Sequence, residues 1–511
     1  MVHPARSGMA SVMAMTILWA TACSSSTVRE QDDVAIADEP TTSPSGTPAS
    51  PDSSASASPS ASETDPDVNA TGAPATTGPT SGPQPSTTSG PGDPNSTPGS
   101  PDPSPTQTGP VTPEVVRIGV IAPGGDRGAN IGESAESEPP EPIIEALVEY
   151  LNATGGVAGR TVEAIVRRLD QTDQSAENQA RLNEELCTYF TEDVEVLLVV
   201  AIEPGADKGR ACYAGKQMPF LEVAAAPDEV QYNELSPWLL PGLFPHKSRA
   251  VVLFARALDE FDFLTDSMGV VVRTDPDFAR TGDQLVAELE RRGGTVIERA
   301  DVPGGVDQSS AQMAGVVLRF KDREVDRVVF WHHGGAAWTF FANNAEAQLY
   351  RPWYGISSFD APHEIYNAGI IPSAQVQHSM GFGFYPSWDT DQANYPITPS
   401  EQACLDIVNE RLGTDYDQRA LSAANGWVAL QACELLFQTR AALRPLDGMS
   451  FQRGDLLAHF RNTPDGYAPV QWPRARFAPD KVDGNVVYRR LAYDAGCDCF
   501  DYTSPWLDAI D

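Results

Sequence analysis

The stretch YLNATGGVAGRTVE, residues 150–163, decides how this chain is read. Upstream of it, Ile144, Leu147, Val148 and Leu151 recur at helical spacing and make one apolar face. Gly155-Gly156 then offer positions where φ > 0 carries no steric cost, which stops a helix. Gly159-Arg160 turn the chain, and the TVEAIVRRLD that follows has the β-branched composition of a strand. Ahead of the helix lies VVRIGVIAP (115–123), β-branched and apolar, ending at Pro-Gly-Gly, which fits a buried parallel strand. The quoted stretch is therefore the joint of a strand–helix–strand unit.

The same rhythm continues. Helical patterns at 175–190 and 206–217 alternate with strand patterns at 194–202 and 218–225. Beyond Pro245-His246-Lys247 a second run begins, with helices at 248–261, 279–294, 310–322 and 340–350. Strands at 267–275, 295–302, 325–333 and 351–358 separate them. Alternation of this kind predicts an α/β fold of parallel sheets covered by helices, here in two Rossmann-like lobes. Two long helical patterns, 399–412 and 421–443, and the strand-like NVVYRRLAYD (485–494) close the chain.

The first part of the sequence is of another kind. Arg6, a run of mostly apolar residues and Ala20-Thr21-Ala22-Cys23 read as a signal peptide over 1–22, too short for a membrane span. Small residues ahead of Cys23 resemble a bacterial lipobox, with Ala20 where a leucine is usual, and make Cys23 the expected lipidation site. Residues 23–112 read as a disordered tether rich in Ser, Thr, Pro and Gly. Between Thr41 and Pro110 there is no Lys, Arg or aromatic residue, and Val68 is the sole large aliphatic. Such a segment cannot bury enough apolar surface to offset its ordering entropy.

Across 511 residues, 35 basic side chains face 70 acidic ones, a net charge of −35. That balance excludes nucleic acid as a partner, since phosphate binding needs clustered Lys and Arg. No later segment is apolar enough to span a bilayer, so the membrane is met only through the lipid anchor. Six of the seven cysteines lie beyond the tether, in an oxidising compartment, where fifteen pairings are open to them. The tools of an enzyme are missing: no G-x-G-x-x-G after a strand, no phosphate-binding G-x-x-x-x-G-K-[ST], no G-x-S-x-G elbow. His332-His333 are adjacent on a strand, point to opposite faces and cannot share one metal. No cofactor, metal or catalytic residue is expected.

RIGVIAP, LVEYLNATGGVAGRTVEAIVRRLD and VVVRTDPDFARTGDQLVAELERRGGTVI together make the chain, from about 115 to 500, resemble a known family. It is similar to the type I periplasmic substrate-binding proteins of the branched-chain amino-acid (leucine-binding) family. That resemblance implies two lobes joined by three crossovers, near 244–248, 380–386 and 467–474, closing over a ligand. The implied lobes are 113–245 plus 384–468, and 246–383 plus 469–511. It also implies a monomeric lipoprotein on the extracytoplasmic face of the cell membrane, delivering a small polar ligand (an amino acid, amide or related compound) to ABC permease subunits. The alternative is a ligand-sensing receptor module of the same fold without transport.

Open α/β sheets bind ligands at the carboxyl ends of their strands, and this selects the candidate residues. In the first lobe these are Glu203 and Ala225, where family members with amino-acid ligands use hydroxyls. In the second they are Asp277, Phe278, His333, Ser358 and Asp360, with Asp275 close by. Phe278 aligns with an aromatic residue that covers the ligand in relatives. Carboxylates without hydroxyls favour a ligand rich in donors or positive charge, and disfavour a plain amino acid. Helices that pack side by side in this architecture imply disulfides Cys187–Cys212 and Cys404–Cys433, leaving Cys497-Asp498-Cys499 over.

Overall fold

The computed structural model describes residues 114–124, 139–170, 172–173, 175–202, 208–223, 227–391, 397–417, 425–464 and 466–509. The signal sequence, Cys23 and the tether lie outside the described residues.

The first lobe is built on β1 (Val115–Gly124), α1 (Glu141–Ala153), β2 (Thr161–Asp170), α2 (Ala176–Thr188), β3 (Leu198–Ala201), α3 (Arg210–Gly215), β4 (Phe220–Glu222) and α4 (Glu229–Leu235). Its sheet runs β2-β1-β3-β4 and every pairing is parallel. α1 ends where the glycines begin: Gly155 and Gly156 both have positive φ, and the Gly156 N–H donates to the Leu151 carbonyl at 2.7 Å. A Cβ on Gly156 would sit 1.8 Å from the Arg160 carbonyl oxygen, so no other residue fits there. Val157 and Arg160 exchange backbone hydrogen bonds at 3.0 Å around Ala158 and Gly159, both at positive φ, which is a two-residue primed turn. Asn152 ties this joint to the sheet, donating to the Val162 carbonyl and accepting from the Val162 N–H at 2.7 Å.

The second lobe follows as α5 (Lys247–Glu260), β5 (Met268–Arg273), α6 (Pro276–Arg291), β6 (Val296–Val302), α7 (Val306–Asp322), β7 (Arg327–Trp331), α8 (Ala336–Ala347) and β8 (Trp353–Ser357). Two short helices, α9 (Pro362–Asn367) and α10 (Ser373–Val376), lead to β9 (Ser379–Gly383) and α11 (Pro386–Asp389). The chain then returns to the first lobe as α12 (Pro399–Leu412), α13 (Asn425–Leu443) and α14 (Leu456–Arg461), with α12 and α13 packed on α1. Finally β10 (Val487–Asp494), β11 (Cys499–Tyr502) and β12 (Leu507–Asp508) complete the second sheet, ordered β11-β10-β9-β8-β7-β5-β6 with β12 on β10. This sheet is mixed. β10 runs antiparallel to β9, because the chain re-enters from the first lobe and adds an edge of hairpin strands.

Three crossovers join the lobes, between α4 and α5, between β9 and α12, and between α14 and β10. They are fastened to one another. Phe244 of the first packs against Phe384 and Tyr385 of the second and Trp472 of the third, at centroid distances of 5.1, 5.0 and 5.8 Å. Trp472 Nε1 donates to the Phe384 carbonyl at 2.7 Å, and Trp427 Nε1 of α13 donates to the Tyr385 hydroxyl at 3.0 Å. The Gly484 N–H donates to the Gly242 carbonyl at 2.7 Å, closing the first crossover on the third. Disulfides join Cys187 of α2 to Cys212 of α3, Cys404 of α12 to Cys433 of α13, and Cys497 to Cys499 at the β10–β11 turn.

Candidate functional site

The carboxyl ends of β3 and β4 in one lobe, and of β5, β7 and β8 in the other, carry the residues expected at a ligand cleft. Glu203 and Ala225, on the loops that follow β3 and β4, lie outside the described residues. The second-lobe side is fully described, and it is more self-contained than the sequence suggested.

Asp277 and Phe278 open α6 directly after β5. The Asp277 carboxylate pairs with Lys247 Nζ at 2.8 Å, both side chains nearly buried. Burial pushes this carboxyl upward, but the charge and hydrogen bond of Lys247, with the charge of Arg210 behind them, outweigh it and hold Asp277 well below the usual carboxylate range. Asp275 pairs in turn with Arg273. Both carboxylates therefore already carry a cationic partner, which removes the basis in Asp275 and Asp277 for expecting a cationic ligand. The Phe278 ring is buried against Trp331 at 5.9 Å and Phe359 at 6.4 Å, with Lys247 Nζ 4.5 Å from its centroid.

His333 follows β7 and lies on the rim, half-buried against Phe359 and Trp388. Its neighbour His332 turns inward, buried, its Nδ1 and Nε2 facing the His333 and Pro303 carbonyls. Burial and then the Arg273 charge push the His332 imidazole down to about 4, so it is neutral. Ser358 and Asp360 form the turn after β8 and are both fully buried. The Ser358 hydroxyl donates to Asp389 Oδ2 at 2.8 Å and accepts from the Phe384 N–H at 2.8 Å, so it anchors the second crossover. Asp360 Oδ2 accepts from the Ser357 N–H at 2.9 Å, closing a capping box. Burial pushes the Asp360 carboxyl up to about 8, against its hydrogen bonds from Ser357 and with the neighbouring Asp389 adding to the rise.

Trp353 and Tyr354 begin β8, at the end of the sheet away from the cleft, where Trp353 stacks on His378 at 4.7 Å and the Tyr354 hydroxyl donates to Gln375. Trp338 is core, edge-on to Phe500. What sequence reading missed is a set of ion pairs around the cleft. Glu222 at the end of β4 pairs with Arg210 of α3, both side chains almost wholly buried. Asp228, which caps α4 by accepting from the Gln231 N–H, takes a two-pronged bond from Arg280 of α6 at 2.6 and 3.0 Å. A Glu at a strand's carboxyl end was a readable signal. The partners of Asp228 and Asp277 were not, because they come from other elements.

The fold has counterparts among solved structures. No curated protein matches the sequence. Among solved structures, the chain is similar to a solute-binding protein of an ABC transporter from Rhodopseudomonas palustris BisB5, in complex with 3,4-dihydroxybenzoic acid. That likeness has a TM-score of 0.53 at 14% identity and covers 78% of this chain and 99% of that one. A branched-chain amino-acid transporter substrate-binding protein from Streptococcus pneumoniae, in complex with isoleucine, gives 0.51 at 14%, covering 77% and 99%. A fatty-acid ABC transporter substrate-binding protein from Thermomonospora curvata gives 0.53 at 14%, covering 78% and 93%. At such identities these likenesses speak for the fold alone. The family model described as periplasmic binding protein matches residues 115–475. With that match resting on the two lobes just described, the chain belongs to the periplasmic binding protein family and is a binding protein, not an enzyme.

Proposed function

We propose that this chain is the lipid-tethered, extracytoplasmic solute receptor of an ABC importer, closing its two lobes on a small polar ligand. The observation that carries the reading is the pair of largely parallel-stranded lobes joined by three fastened crossovers, an architecture in which hinge closure buries a solute at the strand carboxyl ends. The similar structures support it: two of them hold 3,4-dihydroxybenzoic acid and isoleucine, and a third is named for fatty acids. Because Asp277 and Asp275 bring their own cations, they give no preference for a polycation, and the reading is a small polar solute with both donors and acceptors, an amide or related compound ahead of a plain amino acid. No helix among the described residues is long and apolar enough to cross a membrane. In this reading the anchor is a lipid on Cys23.

Two experiments test the reading. Native mass spectrometry of the purified chain, followed by a thermal-shift panel of amino acids, amides, polyamines and aromatic acids, is expected to find a bound small solute. A true ligand at a hundredfold excess over its dissociation constant adds about 2.7 kcal/mol of stability, a rise of several degrees. A chain that carries no solute and responds to no member of the panel would sink the proposal. For the anchor, Cys23→Ala is expected to move the protein from the membrane fraction to the medium. Unchanged membrane retention would show that something other than Cys23 holds it.

A further inference from the structure

Arg280 and Asp228 belong to different lobes. Asp228 stands at the start of α4, which is tied to α3 through Arg210 and Gln231, beside the first sheet. Arg280 lies on α6, which packs on α5, β5 and β6 of the second lobe. Their two hydrogen bonds, at 2.6 and 3.0 Å, therefore bridge the cleft. Asp228 is held in place independently of that bridge, since its Oδ1 also accepts from the Gln231 N–H at 2.7 Å, and its side chain is 2% exposed. Arg280 is 42% exposed and reaches to it from the rim. Alongside runs a second charge relation between the lobes, Arg210 of α3 acting on Asp277 of α6. The hydrogen bond to Asp228 raises the Arg280 guanidinium first, and the charges of Asp277 and Glu234 add weakly to that.

We propose that Asp228 and Arg280 form the latch that sets how much of the ligand-free protein is closed. The latch rests on the reading above, because it takes lobe closure as the binding step. A rigid acceptor on one lobe and a solvent-facing, rotatable donor on the other is the asymmetry a reversible clasp needs: breaking it exposes an arginine, which water solvates readily. It cannot be a strong lock. Pairs with one partner this exposed shift an equilibrium by roughly two- to five-fold. That is the useful range, since a ligand's apparent affinity scales with the fraction of protein already competent to bind.

The test needs no ligand. Spin labels at Glu184→Cys on α2 and Asp322→Cys on α7 report the distance between lobes by double electron–electron resonance on the mature chain. Arg280→Gln is expected to raise the open-to-closed ratio by about two- to five-fold. Asp228→Asn, which keeps an N-cap side chain, is expected to do the same, and the double variant to go no further, because the two residues share one interaction. Raising the salt should open the parent protein clearly more than Arg280→Gln, which has already lost the exposed pair. An unchanged distance distribution in Arg280→Gln, or additive shifts in the double variant, would overturn the latch. Either result leaves the solute-binding reading to be decided by mass spectrometry, so the two fail separately.

Discussion

Replacing Asp483 by alanine is expected to cost about 3–5 kcal/mol of stability, the loss seen when one member of a buried ion pair is removed and the other stays behind. The residue sits where the first and third crossovers meet. Its carboxylate pairs with Arg249, accepts from the His246 N–H at 2.7 Å and from the Asn485 N–H at 3.0 Å, and is almost wholly buried. Arg249 also donates to the Asn485 carbonyl at 2.8 Å, so one carboxylate organises two strands of the hinge. At about 2.1 cal/mol/K of unfolding entropy per residue, the thermal midpoint of a domain this size should fall by roughly 4–6 °C. Asp483→Asn keeps an acceptor for one backbone N–H and should cost less. A calorimetric midpoint for Asp483→Ala within a degree of the parent would mean that the crossovers are held by their aromatic contacts alone.

That node was invisible in the sequence, and the reason is physical. The sheet–helix rhythm is local: hydrophobic period, glycine placement and β-branching all act within a few residues, so the two lobes and the 150–163 joint could be read directly. The hinge is not local. Arg249 and Asp483 are 234 positions apart, and Asp228 and Arg280 are 52 apart. Nothing in the periodicity of either segment marks the partner. β9 was missed for another reason. The resemblance implied a crossover from about 380, yet Ser379–Gly383 is a strand paired with β8, and its Gly381 lies against the Ile356 carbonyl, where a Cβ would come within 1.9 Å. The strand uses glycine for close approach in the sheet, the opposite of what its composition suggests. At the cleft, Asp277, Phe278, His333, Ser358 and Asp360 could be located at strand ends, but not their partners. A loop carboxylate looks the same in sequence whether it faces solvent or, like Asp277, is matched by a lysine from the hinge.

Ser358 and Asp360 lead to the second large effect, on pH. Three fully buried carboxyls have folded-state values well above the ordinary range: Asp360 at about 8, and Asp389 and Glu434 at about 7, each raised first by burial. Asp389 accepts from Ser358, Tyr385 and Tyr502 at the second crossover, and Glu434 from the Val470 and Gln471 N–H groups at the third. In the unfolded chain these groups lose their protons near pH 4, while the folded protein keeps them until pH 7 or 8. Between those values the folded state binds more protons, so stability falls as pH rises and levels off once the folded groups have ionised. The histidines act in the other direction. His332, pushed down to about 4 by burial, costs stability only as pH drops below the ordinary histidine value. Between pH 6.5 and 8.5 the carboxyls therefore dominate. A proton held by the folded state alone is worth about 1.4 kcal/mol for each tenfold fall in proton concentration. Asp360 should thus account for a loss of about 2 kcal/mol across that window, and Asp389 and Glu434 for a little under about 1 kcal/mol each. Asp360→Asn, which resembles the protonated carboxyl and retains an acceptor for the Ser357 N–H, should be nearly neutral at pH 6.5 and stabilising relative to the parent at pH 8.5. Thermal melts of both proteins across this range decide it. A parent midpoint that holds or rises from pH 6.5 to 8.5, or an Asp360→Asn effect of the same size at both ends, would mean that these carboxyls are ionised in the folded protein and that the turn after β8 is better solvated than its packing implies.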